Sequence, residues 1–291
     1  MLSRHALASA LSQEQVEIEV LVIDDGSDDG TSLARLESVA DERVRVLRHG
    51  ERRGQAHALN TGVREARGEW VAFLDDDDLW APQKLHAQLA AAEARGADFV
   101  YGSIVIVDER VRPLEAFPTP APDRVRDLLR THNVLRTPSS VAAKTELVRS
   151  LGGLDEELNE LTDWDFFIRL ADAGRAAACD DVVIAYYVHP QNRRVRDDCD
   201  VEAEFAYFAR KHGNGNGGVE RGGFERWVAM GQLRSGNRVA AARTYLAAGV
   251  RHRDGGSVAR AAAALAGERA VALRRRLRER PDPTWLEAYR T

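Results

Sequence analysis

Apolar positions change period several times along the first hundred residues, and each change predicts an element. Leu2, Leu7 and Leu11 stand among alanines and polar residues and predict a short helix over 2–14. From Val16 the chain alternates, then runs apolar through Val20, Leu21, Val22 and Ile23, the pattern of a buried strand. The loop Asp24-Asp25-Gly26-Ser27-Asp28-Asp29-Gly30-Thr31 then opens a helix near 31–40. A short strand follows at 44–47, a helix at 54–66 and a strand at 70–74. Pro82 suits the first turn of a helix over 82–95, where its missing N–H is not needed, and 98–107 reads as another strand. Strands alternating with helices predict an α/β protein with a mostly parallel sheet, in which ligands bind beyond the carboxyl ends of the strands.

Between Arg112 and Asp123 the prolines Pro113, Pro118, Pro120 and Pro122 break this pattern and mark a boundary between subregions. Beyond it, 138–143 reads as a strand, 144–150 as a short helix, Gly152-Gly153 as a turn, 163–173 as an amphipathic helix and 181–188 as a strand. Composition shifts after Asp200. The glycine-rich tract 213–218 is a flexible loop, and the rest is rich in Ala and Arg, helical in pattern and without a strand signal. The expected units are 1–112, 113–200 and an all-helical 201–291.

A chain of 291 residues with 44% hydrophobic content can bury a sizeable core, and the length suggests about two domains. No window reaches the apolar length of a membrane span. A net charge of −5 argues against a nucleic-acid binder. Cys179 and Cys199 have neither metal-ligand spacing nor a disulfide framework around them, and the N-terminus carries no long apolar segment of a secretory signal. A cytoplasmic protein is expected. Residues 257–280 hold seven Arg against two Glu beside Leu265, Val271, Leu273 and Leu277. Such a helix can lie peripherally on the inner face of an anionic membrane, or its Arg-rich face can simply solvate a helical bundle.

The candidate chemistry is concentrated in acidic runs. Asp75, Asp76, Asp77 and Asp78 follow the apolar run 70–74 directly. Neighbouring carboxylates repel one another unless a cation or solvent separates them, so the run is either a solvated turn or a site for a hard divalent metal. The loop at 24–31 is no EF-hand, because counting from Asp25 places Leu36 where a Glu is needed, and no Walker A loop, because no Lys precedes its Ser or Thr. In a strand-to-helix loop, Asp25 can accept a ligand N–H while Asp28 or Asp29 caps the helix, and a purely structural cap is equally open. Both acidic runs end predicted strands, which points to one joint site. Asp163 and Asp165 both open a predicted helix, where the dipole favours a carboxylate.

Four motifs occur in order: Val22-Ile23-Asp24-Asp25-Gly26-Ser27, then Phe73-Leu74-Asp75-Asp76-Asp77-Asp78-Leu79-Trp80, then Gly152-Gly153-Leu154-Asp155-Glu156, then Asp163-Trp164-Asp165-Phe166-Phe167. Together they resemble the family 2 glycosyltransferases, inverting enzymes with a Rossmann-like GT-A fold of three α/β/α layers, and the resemblance covers roughly residues 1–190. It implies that Asp25 reads the nucleotide base, that Asp75, Asp76 and Asp77 overlie the D-x-D region, that Asp76 lies near the ribose, and that Asp77 with Asp75 holds Mg²⁺ or Mn²⁺. It implies that Asp163 is the catalytic base, with Thr162 where relatives usually have Glu. His189, in Tyr187-Val188-His189-Pro190, matches a histidine near the pyrophosphate, and an ordinary loop histidine is the alternative.

The implied partners are a nucleotide-diphosphate sugar as donor and a saccharide, lipid-linked or other hydroxyl as acceptor, with no nucleic acid. The chemistry is coherent: a divalent cation offsets the repulsion between acidic pocket and anionic donor, and a carboxylate must take the proton of the attacking hydroxyl. A non-catalytic sugar-nucleotide or protein-binding module is the alternative, and a nucleotidyltransferase a weaker one, because no Lys- or Arg-bearing phosphate loop is visible near the first strand. Members of the family normally start with an apolar strand and a Pro-Thr-Tyr-Asn-like loop ahead of a helix like 2–14, and Met1 falls after that position. We expect a reading frame set too late or a shortened relative, with an unpaired strand edge that invites a homodimer.

Overall fold

The structure, a computed structural model, describes residues 2–27, 40–188, 200–213, 218–266 and 282–290. The expected helix near 31–40, Asp28, Asp29, His189, Cys199 and most of the Arg-rich stretch 257–280 lie outside the described residues.

Helix α1 (Leu2–Leu11) leads to strand β1 (Val20–Asp24), which pairs in parallel with β2 (Val44–Arg48). The ladder matches residues 20–24 with 44–48, so the alternating residues 16–19 lie outside it and the strand is shorter than its pattern predicts. Helix α2 (Gln55–Glu65), β3 (Trp70–Ala72), β4 (Leu79–Trp80) and α3 (Lys84–Arg95) follow. Pro82 precedes α3 instead of opening it, because Leu79 and Trp80 are held in a short antiparallel pairing with a later strand.

Strand β5 (Phe99–Val107) is buried at all nine positions. A strand covered on both faces runs continuously apolar, which is why it is the most legible element of the chain. It pairs with β6 (Pro113–Phe117), β7 (Val141–Lys144) and β8 (Ala176–Tyr187). The larger sheet runs β3-β7-β5-β8-β4, with β6 on the side of β5. It is mixed, but not mostly parallel: β5–β8 is parallel, whereas β3–β7, β5–β7, β5–β6 and β4–β8 are antiparallel. The reason is the connections. Parallel neighbours need a crossover, while the short link after Val107 makes a hairpin in which Pro113 opens an edge strand.

Side-chain alternation along β5 builds layers on both faces. Phe99 and Tyr101 enter the main core with α4 (Val125–Thr131), α5 (Thr145–Ser150) and α6 (Thr162–Ala173), while Val100 faces the opposite layer with Ala92 of α3 and Ala97 just beyond that helix. At Gly102 a Cβ would stand 2.2 Å from Val183 Cγ2, so the register shift between β5 and β8 requires a residue without a side chain there.

The C-terminal region is helical as expected: α7 (Val201–His212), α8 (Arg221–Arg234), α9 (Arg238–Arg251) and α10 (Gly255–Ala266), then a 3-10 turn at Thr284–Tyr289. Phe205 and Phe208 of α7 and Phe224 of α8 belong to the same apolar core as Phe99 and Phe166.

Candidate active site

The acidic run turns sharply at the end of β3. The Asp78 N–H donates to the Asp75 carbonyl at 3.1 Å, and the pairing of Leu79 and Trp80 with β8 fixes the exit of the turn. A second segment wraps it. Thr137 Oγ1 lies 3.1 Å from Asp75 Oδ2 and 3.2 Å from Asp78 Oδ2, Ser139 Oγ accepts the Asp75 N–H at 3.0 Å, and the Trp80 indole N–H donates to the Ser139 carbonyl at 3.1 Å. From the other side Gln55 Nε2 donates to Asp75 Oδ1 at 2.9 Å.

The outcome is a group of carboxylates crowded by its scaffold. One oxygen each from Asp75, Asp77 and Asp78 lies within 4.8 Å of the others, the one such group of possible metal ligands among the described residues. Asp78 is fully buried and Asp76 exposed. Burial, then the charges of Asp77 and Asp76, push Asp75 up to about 7, and burial with the charges of Asp75 and Asp77 pushes Asp78 well above the usual carboxylate range. Three such groups cannot all ionise without a counter-charge, and hard oxygen donors at this spacing suit a divalent cation.

Asp163 stands in the first turn of α6, and its Oδ1 is buried without a hydrogen-bond partner. Burial, then the charges of Asp75 and Glu160, raise it well above the usual range, so Asp163 lies within electrostatic reach of the acidic turn. Asp165 contrasts with it. Arg169 Nε at 2.7 Å, and Lys211 Nζ and His212 Nε2 both at 2.8 Å, engage its carboxylate; against the opposing effect of burial they hold it at about 2. Thr162, in place of the expected Glu, donates its hydroxyl to the Leu158 carbonyl at 2.7 Å.

Asp25 lies at the end of β1, apart from the turn at 75–78. Its carboxylate accepts the Gly54 N–H at 2.7 Å, the Arg53 N–H at 3.0 Å and pairs with His49 Nδ1 at 2.7 Å. Burial opposes, but these hydrogen bonds prevail and hold Asp25 below its ordinary value. Residues 53–55 therefore join the two acidic motifs, with Arg53 and Gly54 on Asp25 and Gln55 on Asp75.

The pattern along the chain did not single out Gln55, Thr137 or Ser139, and assigned no metal role to Asp78. The polar run Thr137-Pro138-Ser139-Ser140 was the available signal, because Thr137 accepts the Ser139 N–H and such a run makes a turn ahead of a strand. That segment is a 3-10 turn, and β7 begins only at Val141, not at 138. The motif Gly152-Gly153 makes the predicted turn, with φ of +76° and +75°, and a Cβ on Gly153 would collide with Asn60 Oδ1. The absence of that Cβ lets Asn60 bind both the N–H and the carbonyl of Leu154.

An α/β sheet with its carboxylates at strand ends is the GT-A architecture, and solved structures share it. TarS of S. aureus in complex with UDP-GlcNAc superposes with a TM-score of 0.60 at 20% identity, over 80% of this chain and 68% of that one. The Pyrobaculum calidifontis mannosyltransferase in complex with GDP-Man and Mn²⁺ gives 0.51 at 23%, over 94% and 74%. At these identities the likeness is one of fold. Residues 4–142, which carry both acidic motifs, match the glycosyl transferase family 2 model, and that part of the chain belongs to this family. Curated relatives include the succinoglycan biosynthesis protein ExoO of Rhizobium meliloti, 39% identical over 112 residues, which are 38% of this chain and 32% of that protein. Another is the UDP-Glc:α-D-GlcNAc-diphosphoundecaprenol β-1,3-glucosyltransferase WfgD of Escherichia coli, 36% identical over 103 residues, 35% of this chain and 40% of that one. The alignments thus span well under half the length of these relatives.

Proposed function

We propose that the protein transfers a sugar from a nucleotide-diphosphate donor to an acceptor hydroxyl by direct displacement with inversion, assisted by Mg²⁺ or Mn²⁺. The observation that carries this reading is the placement of an unpartnered, buried carboxylate oxygen on Asp163 within electrostatic reach of the Asp75–Asp77–Asp78 group. Asp77 and Asp75 would hold the cation, with Asp78 closing the group from within, and the bound cation would supply charge neutralisation for the departing diphosphate. Asp163, raised in proton affinity and free of a competing donor, takes the proton of the attacking hydroxyl. Asp76, exposed on the same turn, faces the donor ribose, and Asp25 with the loop it holds at 53–54 frames the nucleotide base. The role of His189 at the pyrophosphate rests on the motif match alone.

The donor classes bound by the structural neighbours, UDP-GlcNAc and GDP-Man, guide the test. Isothermal titration of UDP-, GDP- and dTDP-sugars with and without Mn²⁺ should show a donor whose binding needs the ion. A folded protein that binds none of them overturns the reading.

The relative acting on a diphosphoundecaprenol acceptor suggests a lipid-linked acceptor here. Among the described residues no helix is long and apolar enough to cross a membrane. Val239, Leu246 and Val250 nevertheless stand exposed at helical spacing on α9, with Arg243 among them, and Val258 and Leu265 are exposed on α10. This basic and apolar surface supports peripheral contact with an anionic cytoplasmic leaflet. Flotation with phosphatidylglycerol vesicles, but not phosphatidylcholine vesicles, is expected, and flotation with neither would remove the membrane from the proposal.

A further inference from the structure

Helix α7 belongs by sequence to the C-terminal region, yet one of its faces is devoted to the segment that carries Asp163. Glu204, itself buried, accepts with Oε1 the N–H of Asn159 at 2.9 Å and of Leu161 at 2.7 Å. One turn on, Tyr207 Oη and Lys211 Nζ converge on Asp155 Oδ2 at 2.9 and 2.5 Å. Lys211 Nζ and His212 Nε2 reach Asp165 Oδ1, each at 2.8 Å. Between these polar contacts Phe208 packs on the Trp164 ring, with centroids 5.0 Å apart. Residues 204, 207, 208, 211 and 212 recur at the three- and four-residue spacing of one helix face.

These contacts bracket Asp163 on both sides. Leu161 lies two residues before it, Trp164 and Asp165 follow it, and Asp155 begins the loop that leads to it. The Asp163 carboxylate has an oxygen without any donor to orient it, so its direction is set through the backbone on which it stands. Leu161 is the residue that caps α6 and Asn159 stands two residues before it in the entering loop, so a buried carboxylate that accepts both N–H groups fixes the entry to α6 and hence where its first turn begins.

We propose that α7 is the positioning splint of the Asp163 segment and that Glu204 is its positioning residue. The proposal rests on the transferase reading above and deepens it. Glu204 does not touch donor or acceptor; it acts by keeping the 159–161 turn, and hence the base, at the distance and angle the attacking hydroxyl requires. A displacement of about 1 Å at a base is enough for roughly a hundredfold loss of rate.

The full chain is tested by hydrolytic release of nucleoside diphosphate from UDP-, GDP- and dTDP-sugars with Mn²⁺, in which water stands in for the acceptor as the attacking hydroxyl, takes the sugar and gives its proton to the base. The concentration of folded protein is taken from near-ultraviolet circular dichroism. Glu204→Ala should lower kcat per folded molecule about a hundredfold and leave donor KM and calorimetric donor affinity within about twofold. Glu204→Gln keeps an oxygen that accepts the same two N–H groups and should recover kcat to within about fivefold of the wild type. Lys211→Met, which leaves Glu204 in place, should lower kcat less than Glu204→Ala. Unchanged kcat per folded molecule in Glu204→Ala, or a loss that falls equally on donor affinity, overturns the splint and leaves Glu204 a stability residue. If Asp163→Asn turns over at the wild-type rate, or the wild type releases nothing, the transferase reading fails and the splint with it; an inactive Asp163→Asn beside a fully active Glu204→Ala removes the splint alone.

Discussion

Phe73 and Phe166 meet edge to face, with ring centroids 5.6 Å apart and planes at 87°. Phe73 precedes Asp75 by two residues and Phe166 follows Asp163 by three, so this one contact couples the strand that delivers the acidic turn to the helix that delivers Asp163. Both rings are buried in the main core. A pair of this geometry contributes about 0.5–1.5 kcal/mol beyond its buried area. A double-mutant cycle of Phe73→Leu and Phe166→Leu, followed by urea unfolding, should return a coupling of about that size. The same variants should lose kcat by more than donor affinity, because the turn and the helix would move apart while each stays folded. Additive unfolding energies would show that the two elements are placed independently.

The division of labour between the acidic groups gives a second expectation. In the proposed mechanism Asp163 serves the acceptor side, so Asp163→Asn should lower turnover by about 10²–10⁴-fold, the range for a lost general base, and leave donor affinity nearly intact. Asp77→Ala should instead weaken donor binding in Mn²⁺ and leave the weak binding in chelator unchanged. Calorimetry of both variants with one donor checks this, and equal loss of donor affinity in the two would contradict the assignment.

How much of this site could be read in advance depended on whether its contacts were local. The largely apolar stretch of β5 and the carboxylates at or just beyond the ends of β1 and β3 are local patterns, and the sequence shows them directly. The Thr137 hydroxyl reaches Asp75 across 62 positions of the chain. It arrives there because β7 inserts antiparallel between β3 and β5, which no periodicity within 138–143 specifies. Strand β4 is two residues long and stands next to Pro82, so its residues read as the approach to a helix. Glu204 looks like one more charge on a helix, and only the packing of Phe205 and Phe208 into the core turns it inward. Asp163 and Asp165 are equivalent in sequence terms; Lys211 and His212, from α7, separate them.

Asp75 makes the protein pH-sensitive in a way a cation should reverse. Its folded value, about 7, lies above the unfolded value near 3.8, so the folded state binds more protons between those limits. In chelator, this group's stabilisation is therefore complete below about pH 4 and is lost as pH rises through about 7. Asp75→Asn should flatten that fall. Millimolar Mn²⁺ should raise the melting temperature at pH 7.5 more than at pH 5, because the ion competes with the proton for the same carboxylates. Differential scanning fluorimetry across pH, with and without Mn²⁺, reads both effects. A melting temperature indifferent to Mn²⁺ at every pH would remove the metal from Asp75, Asp77 and Asp78.

Lys84 gives the opposite slope, away from the site. Its ammonium is fully buried in α3, donates to Gln88 Oε1 at 2.6 Å and lies 4.2 Å above the centre of the Trp80 ring. Burial without a carboxylate partner lowers it to about 7 from an unfolded value of 10.5. Between those values the unfolded chain holds the extra proton, so this residue makes the protein more stable as pH rises from about 7 to about 10.5. Lys84→Met fills a similar volume without a charge to desolvate, although it leaves the Gln88 side chain with one donor fewer. We expect Lys84→Met to melt above the wild type at pH 7 and its advantage to shrink steadily toward pH 10. A variant that melts lower at pH 7, or whose difference from the wild type does not change with pH, would show that the ammonium is compensated in the fold and that its burial carries no penalty.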